Sequence, residues 1–286
     1  MSLIIGMHGI AKQQLGSHLI EDPWRRALAD GLERACQHSV SLPPIGIAFY
    51  GDLFLPPPAA GKARSGIDEQ LLDDLTDDEH ADLAAAMAEA LSPAELVAAE
   101  GAVYKGYTRS PLPLQRLIRG MDHRLGASAG VLYLGELRQV RRYLCDPELK
   151  KSADAKVDAA VSPDCRILIA HSLGSVLAWE YVRRHPEHRL DLLLTVGSPL
   201  GLRMIRSRLP GSGLPADTGP ANLADWVNVR DPRDPVTCAG DLRTWWPWND
   251  DKTVNNQSDA HSVTRYLAKR EVGEAVLRWA PQLAAS

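Results

Sequence analysis

The chain is short of cysteine, of phenylalanine and of net charge. Its four cysteines (Cys36, Cys145, Cys165, Cys238) stand far apart and form no C-x-x-C, which argues against a disulfide-stapled scaffold or a cysteine zinc site. They read as reduced thiols, Cys165 within a buried strand. A formal net charge of −4 gives no electrostatic reason to expect nucleic acid or an anionic membrane as partner. No apolar run approaches the ~18 residues of a membrane span. The N-terminus carries no basic stretch ahead of its apolar run and no cleavage-like end after it, so a cytoplasmic protein is expected. Repeats are absent. What is present is ordinary for a globular chain: 45% hydrophobic and 24% charged residues over a length of 286, enough to bury a sizeable core as one domain spanning 1–286.

The most informative stretch is Ile167-Leu168-Ile169-Ala170-His171-Ser172-Leu173-Gly174-Ser175-Val176. Residues 166–170 are β-branched and apolar, as in a buried parallel strand. From Leu173 the spacing turns helical, with Val176, Leu177 and Val182 near one face. Ser172 therefore falls on a sharp strand-to-helix turn, with the small residues Ala170 and Gly174 two positions either side. This is a nucleophile elbow written A-x-S-x-G. Gly126-Ala127-Ser128-Ala129-Gly130 matches the usual spelling better, but no strand leads into Ser128, so it reads as a flexible turn.

Apolar runs at 3–7, 45–50, 190–196 and 225–230 read as further strands, the last of them final. Asp22-Pro23 reads as the N-cap and N1 of a first helix running to about Cys36, and 263–279 as a last helix. Pro56-Pro57-Pro58 and Gly61 mark a joint. Beyond it, 67–100 is rich in helix formers, interrupted at Ser92-Pro93, with Leu71, Leu72, Leu75, Leu83, Met87 and Leu91 as an apolar stripe. Residues 104–124 turn basic, through Lys105, Arg109, Arg116, Arg119 and Arg124. Residues 55–125 thus read as a helical insertion between core strands, and as a cap over whatever site the strands carry. Two further helices, 131–145 and 153–161, lead to the elbow. Strands alternating with helices argue for an α/β fold with a mostly parallel sheet flanked by helices.

A serine hydroxyl becomes a useful nucleophile only when a histidine takes its proton, and an acid must hold that imidazole in the right tautomer. In the α/β-hydrolase arrangement the order along the chain is nucleophile, acid, histidine. Of nine histidines, only His261 lies beyond the last expected strand. His185 and His188 form H-x-x-H without an apparent third ligand, so no metal is expected there. Asp231 and Asp234 both qualify as the acid. Asp234 is favoured because it lies further into the loop, and the other aspartate would then fix the Asp-Pro turns. An oxyanion needs two backbone donors: Leu173 N–H directly after the serine, and Ile10 N–H in the loop His8-Gly9-Ile10. Gly9 suits a backbone that must turn close to a bound acyl group. Trp245 and Trp246 lie between acid and base in sequence and, with His8, are candidates to line a substrate pocket, although aromatics more often simply pack.

With these residues in hand, the chain resembles the α/β-hydrolase serine esterases and lipases. The resemblance is carried by Met7-His8-Gly9-Ile10, Ala170 to Ser175, Gly197-Ser198-Pro199, Asp231 to Val236 and Ala260-His261-Ser262, in the family's order over nearly the whole chain. Ala170 departs from the usual glycine. The resemblance implies a hydrolase without cofactor, acting on a small-molecule or lipid-like acyl substrate through a Ser172–His261–Asp234 triad. A thioesterase, an amidase or a non-catalytic binding protein keeping the fold are the alternatives.

Overall fold

The computed structural model describes residues 3–10, 15–55, 75–98, 112–126, 129–209 and 219–284. Strand β1 (Ile4–Met7) is buried along its whole length. Helix α1 (Ser17–Cys36) follows and turns a stripe of Ile20, Trp24, Leu28 and Leu32 inward, four residues apart as a helix face requires. Strand β2 (Gly46–Ala48) pairs beside β1. Helices α2 (Asp77–Glu89), α3 (Pro93–Ala98), α4 (Leu112–Leu125), α5 (Ala129–Cys145) and α6 (Pro147–Ala160) then lead to strand β3 (Ile167–His171). Next come helix α7 (Leu173–Arg184), strand β4 (Leu190–Val196), the one-turn helix α8 (Arg203–Arg206) and strand β5 (Leu223–Arg230). Strand β6 (Asp250–Thr253) and helices α9 (Val263–Leu267) and α10 (Arg270–Trp279) complete the described chain.

The six strands form one sheet in the order β2-β1-β3-β4-β5-β6, with every pairing parallel. Alternate strand residues feed two apolar clusters, one on each face, as the period-two geometry of a strand dictates. Ile4, Ile167, Ile169, Leu192 and Leu194 meet α1 and α10 on one face. Ile5, Met7, Leu168, Ala170 and Leu193 meet helices α2, α4, α5, α6 and α7 on the other. The chain leaves β1 toward β2 at one edge and returns to β3 on the other side, so the strand order reverses between β1 and β3. In open parallel sheets the crevice beyond the strand C-termini at such a reversal is where ligands bind. Among the described residues no helix is long and apolar enough to cross a membrane.

Three expectations are corrected. Helix α1 starts at Ser17, not at Asp22, and holds Pro23 inside it; the Asp22 carboxylate pairs with Arg26 at 3.0 Å instead of capping. The strand at Leu223–Arg230 is not the last. β6 was hidden because it has no apolar alternation: the Asp251 carboxylate is buried and serves Asn228 at 2.8 Å, Arg230 at 2.7 Å and the Leu242 N–H at 3.1 Å. The last helix breaks in two, α10 starting afresh from Lys269 as its extended N-cap. The interruption at Ser92-Pro93 is a helix start, where Ser92 and Glu95 bond each other's backbone N–H groups and Pro93 opens α3. The Pro56-Pro57-Pro58 joint, Leu71, Leu72, Lys105, Arg109 and Ser128 lie outside the described residues.

Candidate active site

Ser172 joins β3 to α7 with φ 52° and ψ −125°, a left-handed backbone that a side-chain-bearing residue adopts only at a cost. The turn is tight because its neighbours are small. A Cβ on Gly174 would run into the Met7 carbonyl oxygen, so the first turn of α7 lies directly against the end of β1. A Cβ on Gly9 would stand 2.9 Å from both Ser172 Cβ and His171 Nδ1, so the loop after β1 passes beside the serine. His8 fixes that loop. It is buried, its Nδ1 bonds the Gly9 carbonyl at 2.6 Å, its Nε2 accepts the Tyr50 N–H at 3.3 Å, and its ring stacks on Tyr50 at 4.2 Å. These bonds imply the neutral tautomer with the proton on Nδ1. Leu173 N–H belongs to the first turn of α7, and half-buried Ile10 continues the Gly9 loop.

Asp234, not Asp231, meets the histidine: its Oδ2 lies 2.8 Å from His261 Nδ1. The same carboxylate is aimed by two donors, the Val236 N–H to Oδ1 at 2.9 Å and the Tyr266 hydroxyl to Oδ2 at 2.8 Å. Asp231 turns the other way and accepts the N–H groups of Arg233 and Asn256 and the Arg233 guanidinium, the work of a turn-former. His171 Nε2 bonds the His261 backbone carbonyl at 2.9 Å and its ring lies 4.5 Å from the His261 ring.

The sequence reading missed Glu136. This residue of α5 reaches down so that its Oε2 accepts the Ser172 hydroxyl at 2.5 Å, while its Oε1 lies 3.6 Å from His261 Nε2. The short distance is that of a hydroxyl bonded to a carboxylate. His261 Nε2 is buried and has no hydrogen-bond partner among the described residues. The serine and the imidazole are thus neighbours of one carboxylate but are not bonded to each other. One signal was available. Glu136 is the only acidic residue of α5 and sits on its core-facing stripe, between buried Tyr133 and Val140.

No protein-family model, curated protein or solved structure matches this chain.

Burial alone would push the His261 imidazole down, but the carboxylates of Asp234 and Glu136 outweigh it and hold it up at about 10. Burial and the neighbouring Asp234 charge push the Tyr266 hydroxyl far up, so it stays a donor. The two tryptophans proposed for a pocket are packed. Trp246 lies 5.3 Å from Trp226 of β5 and 5.9 Å from Trp179 of α7, and Trp245 carries the Arg206 guanidinium 4.2 Å above its ring. His185 pairs with Asp158 and Glu187, and His188 bonds the Tyr181 hydroxyl and the Cys165 carbonyl, so the H-x-x-H pair ties down the end of α7. Among the described residues no group of three His, Cys, Asp or Glu side chains is placed to hold a metal ion.

Proposed function

We propose that the chain is a serine hydrolase of the α/β-hydrolase type that cleaves carboxylic esters through an acyl-enzyme intermediate. The observation that carries this reading is the 2.8 Å Asp234–His261 pair set beside a serine at positive φ, at the C-terminal end of an inner parallel strand. In the proposed reaction Ser172 Oγ gives its proton to His261 Nε2 and bonds the ester carbonyl carbon. Leu173 N–H and Ile10 N–H receive the oxyanion, and removal of one such donor costs about 10²–10³ in rate. The intermediate expels the alcohol, which takes the proton from His261. Water, deprotonated by the same imidazole, then frees the acid from Ser172. Asp234 stabilises the imidazolium throughout. The insertion at 55–125 acts as a cap in this reading, supported by its helices α2 and α4, whose Asp82 and Asp122 hold α5, the helix that sets Glu136 on the serine.

The test is labelling of purified protein with a fluorophosphonate probe. Labelling present in wild type and absent in Ser172→Ala supports the reading, and an ester chain-length series beside thioester and amide substrates then sorts esterase from its alternatives. Folded wild type and folded Glu136→Gln that neither label nor hydrolyse any of these, under conditions where a control serine esterase does, would instead make this a binding protein.

A further inference from the structure

The Ser172 hydroxyl has one proton to donate, and it is given to Glu136. While that bond stands, the serine cannot donate to His261 Nε2. The same carboxylate faces the imidazole and favours its charged form, in which Nε2 accepts nothing. Nucleophile and base are therefore both disarmed by one side chain. The chemical species standing there is itself informative. Cleavage of an ester leaves a carboxylate between the serine hydroxyl and the imidazole, which is where the Glu136 carboxylate lies.

Resting on the hydrolase reading above, we infer that Glu136 is a built-in carboxylate competitor. It holds the place of the acid product, so an ester reacts only by displacing it. Displacement requires the side chain alone to swing away, because α5 is held in place. Arg141 of α5 pairs with Asp82 of α2 at 2.7 Å, and the Gly130 N–H bonds Asp122 of α4 at 2.8 Å. Among the described residues, the groups facing His261 are Asp234, Glu136 and His171, with Tyr266 behind Asp234 and Ser172 on the far oxygen of Glu136. Asp231 next along the loop is engaged by Arg233. Of these charges, Glu136 is the one on the Nε2 side of the ring and the one whose removal leaves the Asp234–His261 pair intact. Glu136 thus acts through the serine and the imidazole as a positioning residue, and sets the pH at which the site becomes competent.

The experiment measures the second-order rate of fluorophosphonate labelling across pH for wild type, Glu136→Gln, Glu136→Ala and Ser172→Ala. Thermal melts check folding, and the isosteric glutamine serves should the alanine variant misfold. At pH 7 the glutamine variant labels about tenfold faster than wild type or more, the gain in neutral imidazole from lowering its pKa by about one unit, and its rate rises from a correspondingly lower pH. The alanine variant, with no acceptor left for the serine, is at least as fast. Added acetate slows the alanine variant at concentrations that leave wild type unaffected, because it refills the vacated place. A folded glutamine variant that loses labelling overturns the inference and makes Glu136 the serine's own base. Unchanged rates and pH dependence in both variants overturn it too and leave Glu136 a structural residue. If no folded form labels, the hydrolase reading itself has failed, and the inference falls with it.

Discussion

The turn at Ser172 stores backbone strain, and two substitutions separate that strain from the chemistry of the hydroxyl. At φ 52° and ψ −125° an L-residue costs of order 1–3 kcal/mol. Ser172→Ala keeps the Cβ, and so the strain, but loses the bond to Glu136. Ser172→Gly loses both, so the difference between the two variants isolates the backbone term. Against the relief stands the extra freedom that glycine gives the unfolded chain, about 0.5–1 kcal/mol. The glycine variant should therefore be more stable than the alanine variant by about 1 kcal/mol, within outer limits of about 0–2.5 kcal/mol. At about 2–4 °C per kcal/mol for chains approaching this length, the glycine variant melts a few degrees higher. Urea denaturation and thermal melting of both variants measure the gap, and neither should label with a fluorophosphonate. A glycine variant no more stable than alanine by both methods would refute the claim that the elbow is strained.

Four other outcomes follow from the structure. If the proposed ester hydrolysis holds, Asp234→Asn should leave the fold intact and drop ester turnover by about 10⁴, the size of the loss when the imidazole-orienting acid of a Ser-His-Asp triad is replaced by its amide. Asp231→Asn should instead lower the melting temperature and change turnover little, because its carboxylate holds the Arg233 and Asn256 turn; turnover and melting of the pair decide. His261 binds its proton more tightly folded than unfolded, so stability is greatest below about 6.5 and declines as pH rises toward about 10, by at most about 1.4 kcal/mol per pH unit for one proton. Melting temperatures between pH 6.5 and 8.5 should fall in wild type and fall less in His261→Gln, since burial raises the Cys165 and Cys238 thiols from an ordinary range that already lies above this window. Trp226→Ala should cost about 3–5 kcal/mol, because it removes a fully buried ring packed on Trp179 and Trp248 together with its bond to Thr195; denaturant titration measures the loss.

The parts of this molecule that could be read from the sequence are those governed by neighbours in the chain. The run Ile167-Leu168-Ile169-Ala170 followed by the small and apolar residues of α7 has a strand pattern, a helix pattern and a turn between, and β3, Ser172 and α7 lie there. β6 could not be read. Its buried side is filled by the carboxylate of Asp251 with partners from β5, a polar ladder with no apolar period to announce it. Asp231 and Asp234 are three residues apart in one loop, and which of them faces the histidine depends on a turn whose geometry no spacing encodes. Glu136 lies 36 residues from Ser172 in the chain, and their meeting depends on how α5 packs over the sheet. Its sequence trace, a single acid on an apolar helix face, points to a buried partner without saying which.

The sheet explains why these distant residues meet at all, and why one of them is different. In the parallel register Ala170 pairs with Met7 and Thr195, and His171 pairs with Val196, which in turn pairs with Val229. The loops that leave β1, β3 and β5 therefore emerge along one edge and from nearly one row. Gly9 comes against Ser172 because the strand ends are locked by backbone bonds that cannot slip one residue without turning every side chain to the other face, while His261 meets Asp234 from the loop that follows β6. Groups placed this way are rigid, as a preorganised oxyanion site and an acid–imidazole pair require. Glu136 is not on the sheet. It arrives from a helix on a long side chain with several rotatable bonds, so of the groups gathered at the serine it is the one that can leave without disturbing the others. In the proposed hydrolase, one movable carboxylate among fixed groups gives the site two states for the cost of a side-chain rotation, and the difference between them is whether Ser172 gives its proton to Glu136, as in this structure, or to His261.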